Sequence, residues 1–198
     1  MAQNLQLRVR SLAKRQFSEY ERKWLNQGFL TWEHQEARKA AGREALTRFW
    51  HDEEAEGVKP THVEKEFAFS VGRNRVRGRF DRVDEDLLGA TVIDYKTSEI
   101  TKQRAADRRV AASLQLKMYA LAWREMTGRL PQRVELRFIE SHVTGRHTPS
   151  DEDVDAAVGA VQAAADGIRA RRFDATPSRQ ACRYCAYSQI CPFTATRE

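Results

Sequence analysis

The spacing of apolar residues along the chain predicts alternating helices and strands. Between His62 and Val71, Val63, Phe67, Phe69 and Val71 share one face while Glu64, Glu66 and Ser70 share the other. That two-residue period predicts a half-buried strand ending at a Gly72-Arg-Asn turn. In the run that follows, Val76, Gly78 and Phe80 oppose Arg77, Arg79 and Asp81, and the turn-rich stretch Asp84 to Gly89 leads into Val92-Ile-Asp-Tyr-Lys-Thr97. There Asp94 and Lys96 project together and Ile93 and Tyr95 face the other way, so the hairpin is able to set Asp81 beside Asp94. Arg133 to Ile139 alternates as a further strand, with Thr144-Gly-Arg read as a turn after it.

Helical periods occupy much of the remainder. Leu5, Val9, Leu12, Tyr20 and Trp24 recur at roughly helical intervals up to Gln27, where Gly28 stops the pattern. A second helix is predicted over Thr31 to Glu56, closed by Gly57 and Pro60. Ala111 to Thr127 reads as a third, with Leu114, Met118, Leu121 and Ala122 as its apolar stripe and Gly128 and Pro131 beyond its end. Ser150-Asp-Glu-Asp opens a last helix, continued by Val154, Val158, Val161, Ala165 and Ile168 to about Arg172. Its acidic start and arginine-rich end both suit the helix dipole. The stretch Glu99 to Arg109 is read as a basic loop whose Lys102, Arg104, Arg108 and Arg109 could grip a phosphate backbone, or simply as a solvated loop.

Length and composition narrow the classes. A chain of 198 residues supports one core with extensions: a helical segment over residues 1–60, a central sheet and helix over 61–145, and a C-terminal helix and cysteine cluster over 146–198. The 41% hydrophobic and 31% charged content suits a globular protein, and no apolar run approaches the roughly 20 residues that cross a bilayer. Met1-Ala-Gln-Asn-Leu-Gln-Leu-Arg lacks the apolar core of a secretory signal, so a cytoplasmic location without membrane contact is expected. A net charge of +6 favours a polyanionic partner without requiring one.

The chemistry gathers in Gly78-Arg-Phe-Asp-Arg-Val-Asp84 and in Asp94-Tyr-Lys96, which together form D-x12-D-x-K. Carboxylate oxygens are hard ligands for Mg²⁺ or Mn²⁺, and a neighbouring lysine can hold a water or stabilise developing charge during phosphodiester hydrolysis. A charged edge strand with incidental ion pairs would read the same way on this spacing alone. Gln115 and Tyr119 are four residues apart and share one face of their helix.

Taken in order, Gly78 to Asp84, Val92 to Ser98 and Leu114-Gln115-Leu-Lys-Met-Tyr119-Ala-Leu resemble the RecB-like branch of the PD-(D/E)XK nucleases, found in AddB and RecB recombination proteins and in actinobacterial UvrD-like helicases. The resemblance implies an α/β fold with a restriction-endonuclease-like core, in which a mixed sheet is flanked by helices and followed by a C-terminal cysteine-bearing extension. It implies that Asp81 and Asp94 bind the catalytic Mg²⁺ or Mn²⁺, that Lys96 positions the nucleophilic water, and that Gln115 and Tyr119 support the site. Relatives carry a Val-Glu-x-x-Phe strand that places Glu64 as a further metal-ligand candidate. The implied activity is DNA nuclease action on single strands or ends, of exonuclease type and serving recombination or repair beside a helicase or second nuclease subunit.

Cys182, Cys185 and Cys191 form C-x2-C-x5-C-P, a thiol density that suits zinc or an iron–sulfur cluster. AddB-like and CRISPR-associated RecB-like nucleases close their domain with this spacing around a [4Fe–4S] cluster, and the resemblance therefore implies one here. Those relatives take the fourth ligand from an upstream cysteine, and this sequence has no other cysteine. A metal-binding histidine in a Gly-x-x-x-His setting also has no counterpart before Asp81. A shortened nuclease is one reading of these two absences. A catalytically incomplete module that binds nucleic acid or docks a helicase is the other.

Overall fold

A computed structural model describes residues 18–196. Its centre is a sheet in the spatial order β1-β2-β3-β4-β5, built from β1 His62–Val71, β2 Asn74–Asp86, β3 Gly89–Lys96, β4 Arg133–Phe138 and β5 Val143–His147. β3 and β4 run parallel, and the other neighbouring pairs are antiparallel. A parallel pair needs a crossover connection, which α2 Gln103–Ala111 and α3 Leu114–Thr127 supply. Helix α1 Trp32–Glu56 precedes the sheet, and α4 Asp151–Arg169 and α5 Arg179–Arg183 follow it. The mixed sheet with flanking helices is the expected architecture.

The helices start and stop for local reasons. Thr31 caps α1 by accepting the His34 N–H at 3.1 Å, and Gly57 ends it in the left-handed region at φ 62°. Ser113 and Gly128 do the same for α3. Ser150 and Asp153 form a reciprocal cap at the start of α4: the Ser150 N–H donates to Asp153 Oδ2 at 3.1 Å and the Asp153 N–H to Ser150 Oγ at 3.4 Å.

The two faces of the sheet carry different helices. On one face, Tyr119 and Trp123 of α3 meet the Phe80 ring edge-on at centroid distances of 5.3 and 6.1 Å. On the other, Phe49 of α1 meets Tyr95 edge-on at 5.5 Å. Val83, Val92, Leu136 and Phe138 are buried within this core.

Strand alternation fails at one place, and that place matters. Lys65 and Phe80 are cross-strand partners that both face α3, the lysine ammonium lying 5.9 Å from the Trp123 ring centroid. Val63 and Arg82 are also partners, yet Arg82 reaches Glu53 of α1 on the opposite face. Residues two apart in a regular strand share a face, so both strands turn over between these pairs, at Glu64 and Asp81. Glu64 has φ 52°, a conformation that ordinary side chains rarely adopt. Val63, which alternation groups with Phe67, is consequently 63% exposed.

Other expectations also change. The basic stretch after β3 is not a loop: α2 spans Gln103–Ala111 because Ala106 and Val110 give it a fully buried stripe. Its Lys102 N-cap position, Arg104, Arg108 and Arg109 remain exposed. Thr144-Gly-Arg lies within β5, and the turn falls before it, at residues 139–142. Gly145 is required there because a Cβ would stand 2.6 Å from the Ala106 carbonyl oxygen of the packed α2. Leu121 and Ala122 of the expected stripe are buried in α3, but Leu114 is 50% exposed, and Leu116, Tyr119, Ala120 and Trp123 complete the buried face. The helix expected over Leu5 to Gln27 lies largely outside the described residues; within them 18–23 are helical and the chain is irregular by Gln27.

The described residues fall into two compact units divided within α4, between Val158 and Gly159. In the second, Ser178 caps α5 by accepting the Ala181 N–H at 3.1 Å, and Cys182 lies on that short helix. Among the described residues no helix is long and apolar enough to cross a membrane.

Candidate active site

β3 presents Asp94 and Lys96 to α3, as the two-residue period requires. Gln115 bridges them: its Nε2 donates to Asp94 Oδ1 at 2.6 Å, and its Oε1 accepts from Lys96 Nζ at 2.8 Å. The same Nε2 donates to the Tyr119 hydroxyl at 3.0 Å, one helical turn along. Asp81 approaches from β2, where its Oδ2 accepts the Tyr95 N–H at 3.0 Å. Regular pairing of β2 with β3 begins at Arg82 and Ile93, so the Asp81 carboxylate takes over a backbone donor just where the ladder stops.

Five of the residues singled out in the sequence therefore stand together. Glu64 is different: it lies in register with Asp81, but its carboxylate pairs with Arg79 Nε at 2.7 Å and is about half exposed.

Burial sets the electrostatics. Asp94 is 2% exposed, and desolvation raises its pKa above the ordinary carboxylate range. The Lys96 ammonium, 2.7 Å from Oδ2, opposes that shift, while the negative charge of Asp81 adds to it. Although the ammonium is close, Asp94 Oδ2 receives no aligned hydrogen bond and is wholly buried. Burial likewise raises the Tyr119 pKa, while the hydrogen bond from Gln115 Nε2 to its hydroxyl works against that shift.

Asp94 Oδ2, met only by the Lys96 ammonium, and the nearby Asp81 carboxylate are hard oxygen donors of the kind that suit a divalent cation. Mg²⁺ commonly takes only one or two protein carboxylates and completes its shell with water and substrate phosphate. The cysteines fit their expected group less well. Cys182 is buried with its Sγ accepting the Ala195 N–H at 3.4 Å, Cys185 is exposed and Cys191 is intermediate. Among the described residues no three His, Cys, Asp or Glu side chains are arranged to hold a metal, and the thiols alone do not support a cluster.

Behind the site lies a charged layer that the sequence did not reveal. Arg82, 3% exposed, pairs with Glu53 of α1 and with Asp84 at 2.7 Å. Glu53 also binds Arg137 Nη1 at 2.9 Å, and Arg137 Nε lies 3.2 Å from Glu135. The Tyr95 hydroxyl accepts from Arg82 at 3.4 Å, tying this layer to the strand that carries Asp94. Glu53 is 29 residues from Arg82 and 84 from Arg137, so no local spacing announces the network.

The family profile for the PD-(D/E)XK nuclease superfamily matches residues 2–192. No curated protein matches the chain. Among solved structures, the crystal structure of SSO0001 has 20% sequence identity and a TM-score of 0.46, over 81% of this chain and 72% of that one.

Proposed function

The chain belongs to the PD-(D/E)XK nuclease superfamily, and from that membership we propose that it hydrolyses DNA phosphodiester bonds with a divalent metal held by Asp81 and Asp94. The observation that carries this reading is the single hydrogen-bonded cluster of Asp94, Lys96, Gln115 and Tyr119, with Asp81 bound to the adjoining Tyr95 N–H. Bound Mg²⁺ or Mn²⁺ would supply charge stabilisation at the scissile phosphate and a water of lowered pKa. Lys96 brings an ammonium to the same point, able to orient that water and to stabilise charge on the phosphate oxygens. Gln115 fixes Lys96 relative to Asp94 from both ends of one amide, and Tyr119 fixes Gln115. Such fixed orientation is what converts nearby groups into a working arrangement.

The RecB-like resemblance supports the finer reading: exonuclease-type action on single strands or ends in recombination or repair, beside a helicase or second nuclease subunit. A [4Fe–4S] cluster on Cys182, Cys185 and Cys191 belongs to that reading with a fourth ligand from outside these three thiols; zinc with a non-cysteine ligand is the alternative. The second reading is a nuclease-fold module that binds nucleic acid or docks a helicase without cutting, which needs neither a metal nor a cysteine cluster.

End-labelled single- and double-stranded DNA, incubated with Mg²⁺ or Mn²⁺ and either the native chain or Asp94→Ala, separates the two. Metal-dependent cutting that disappears in the variant is expected. A folded native chain that cuts neither substrate under either metal would leave the binding module.

A further inference from the structure

The β1–β2 hairpin extends well past the strand beside it. β1 pairs with β2 as far as Val71 and Asn74, whereas β2 pairs with β3 only over Arg82–Asp86. Because β2 and β3 are antiparallel, the outer half of the hairpin projects beyond the end of β3 that carries Lys96. It is an arm leading away from the carboxylate cluster.

The two faces of that arm differ sharply. Val76, Gly78 and Phe80 turn to the side of α3, and Phe67 lies so close over Gly78 that a Cβ there would stand 2.3 Å from its ring. This close packing gives the arm one apolar face. On the other face Arg75, Arg77 and Arg79 are all exposed. Their cross-strand partners are Ser70, Ala68 and Glu66, so the first two arginines directly oppose neutral side chains, while Arg79 opposes Glu66 and pairs with Glu64. Arg73 at the turn extends the same charge.

Successive arginines on one strand face are about 6.8 Å apart, twice the rise per residue. That is on the order of the step between neighbouring phosphates in an extended single strand, and planar guanidinium groups match phosphate oxygens well. The small Ala68 and Ser70 leave room for a backbone to lie along the row.

We infer that this arm is a track for the phosphate backbone of single-stranded DNA, with Arg75 and Arg77 as its principal contacts, lying beyond the end of β3 on the sheet face opposite the one that presents Asp94 and Lys96 to α3. The inference rests on the nuclease reading for the identity of its ligand. Contacts of this kind position the strand and carry no base specificity.

The test is binding of a fluorescent oligodeoxythymidine over a range of salt in EDTA, where metal-dependent cutting cannot occur. Arg75→Ala with Arg77→Ala is expected to weaken binding about tenfold and to lower the slope of log K against log salt by about 1.4, two single-strand phosphate contacts. Arg75→Lys with Arg77→Lys should recover most of the slope. Arg129→Ala with Arg172→Ala, which removes equal charge from exposed positions elsewhere, should change it little. Thermal unfolding of each variant verifies folding. Affinity and slope in the alanine pair equal to those of the native chain, or losses no larger than in the Arg129 and Arg172 control, would overturn the track. Binding lost in the alanine pair without cleavage by the native chain would uphold the track and reject the nuclease reading; cleavage by the native chain with undiminished binding in the alanine pair would do the reverse.

Discussion

Removing Glu53 should unfold the layer behind the active site before it disturbs the site itself. Its two carboxylate oxygens serve different arginines: one pairs with Arg82 and the other accepts from Arg137 at 2.9 Å. Truncating one member of a buried ion pair typically costs about 3–5 kcal/mol, because the surviving charge is left desolvated. Here the cost is smaller. Arg82 is 3% exposed but keeps Asp84 at 2.7 Å, and Arg137 is 17% exposed and keeps Glu135 at 3.2 Å. Glu53→Ala should therefore destabilise the chain by about 2–3 kcal/mol. For a chain of this size that corresponds to a fall in Tm of about 4–12 °C. Urea unfolding should show a lower midpoint with an unchanged slope. Glu53→Gln, which retains the shape and some hydrogen bonding, should cost less. Glu53→Met combined with Arg82→Met should recover much of the loss, since well-packed apolar groups often replace buried charges without penalty. A Glu53→Ala change below about 0.5 kcal/mol, the ordinary scatter of surface substitutions, would refute the role assigned to this layer.

Three further outcomes are expected. In the metal-free chain Asp94→Asn should leave stability unchanged or raise it at neutral pH, because burial opposes the charged carboxylate there, while cleavage should vanish; loss of both together would mean that the charge holds the fold. The Asp153 pKa is pulled down to about 2, His147, the Ser150 N–H and Lys117 outweighing the effect of burial. Its contribution, about 2 kcal/mol, should be present above pH ~4 and lost as pH falls toward 2, so Asp153→Asn should lower Tm at neutral pH and flatten the acid limb of a Tm–pH profile. Gly145→Ala drives a Cβ into the Ala106 carbonyl and the Val110 side chain, and should cost about 1–3 kcal/mol in urea unfolding.

The elements most readable in the sequence were those fixed by short-range pattern. The two-residue period of Asp94 and Lys96, the four-residue step from Gln115 to Tyr119, and the cap at Ser150 are local signals. Residues brought together across the fold left no such mark. Val63 was misplaced because alternation is broken at Glu64 and Asp81, and the bend is visible only once both strands are paired. Thr144-Gly-Arg suggested a turn by composition, although Gly145 is needed for the close approach of α2. The α2 helix was obscured by its charges, since Ala106 and Val110 alone provide its buried stripe. Glu53, Arg82 and Arg137 each look like surface residues until α1 is laid on the sheet.

The most direct test of the central claim is single-turnover cleavage of labelled DNA in Mg²⁺ by the native chain, Asp81→Asn, Asp94→Asn and the double variant. If the two carboxylates serve one metal site, each single change should lower the rate on the order of 10³-fold or more, and the double variant should be little worse than either. Metal-dependent cleavage that survives in the folded double variant, or two losses that simply multiply, would contradict a shared site.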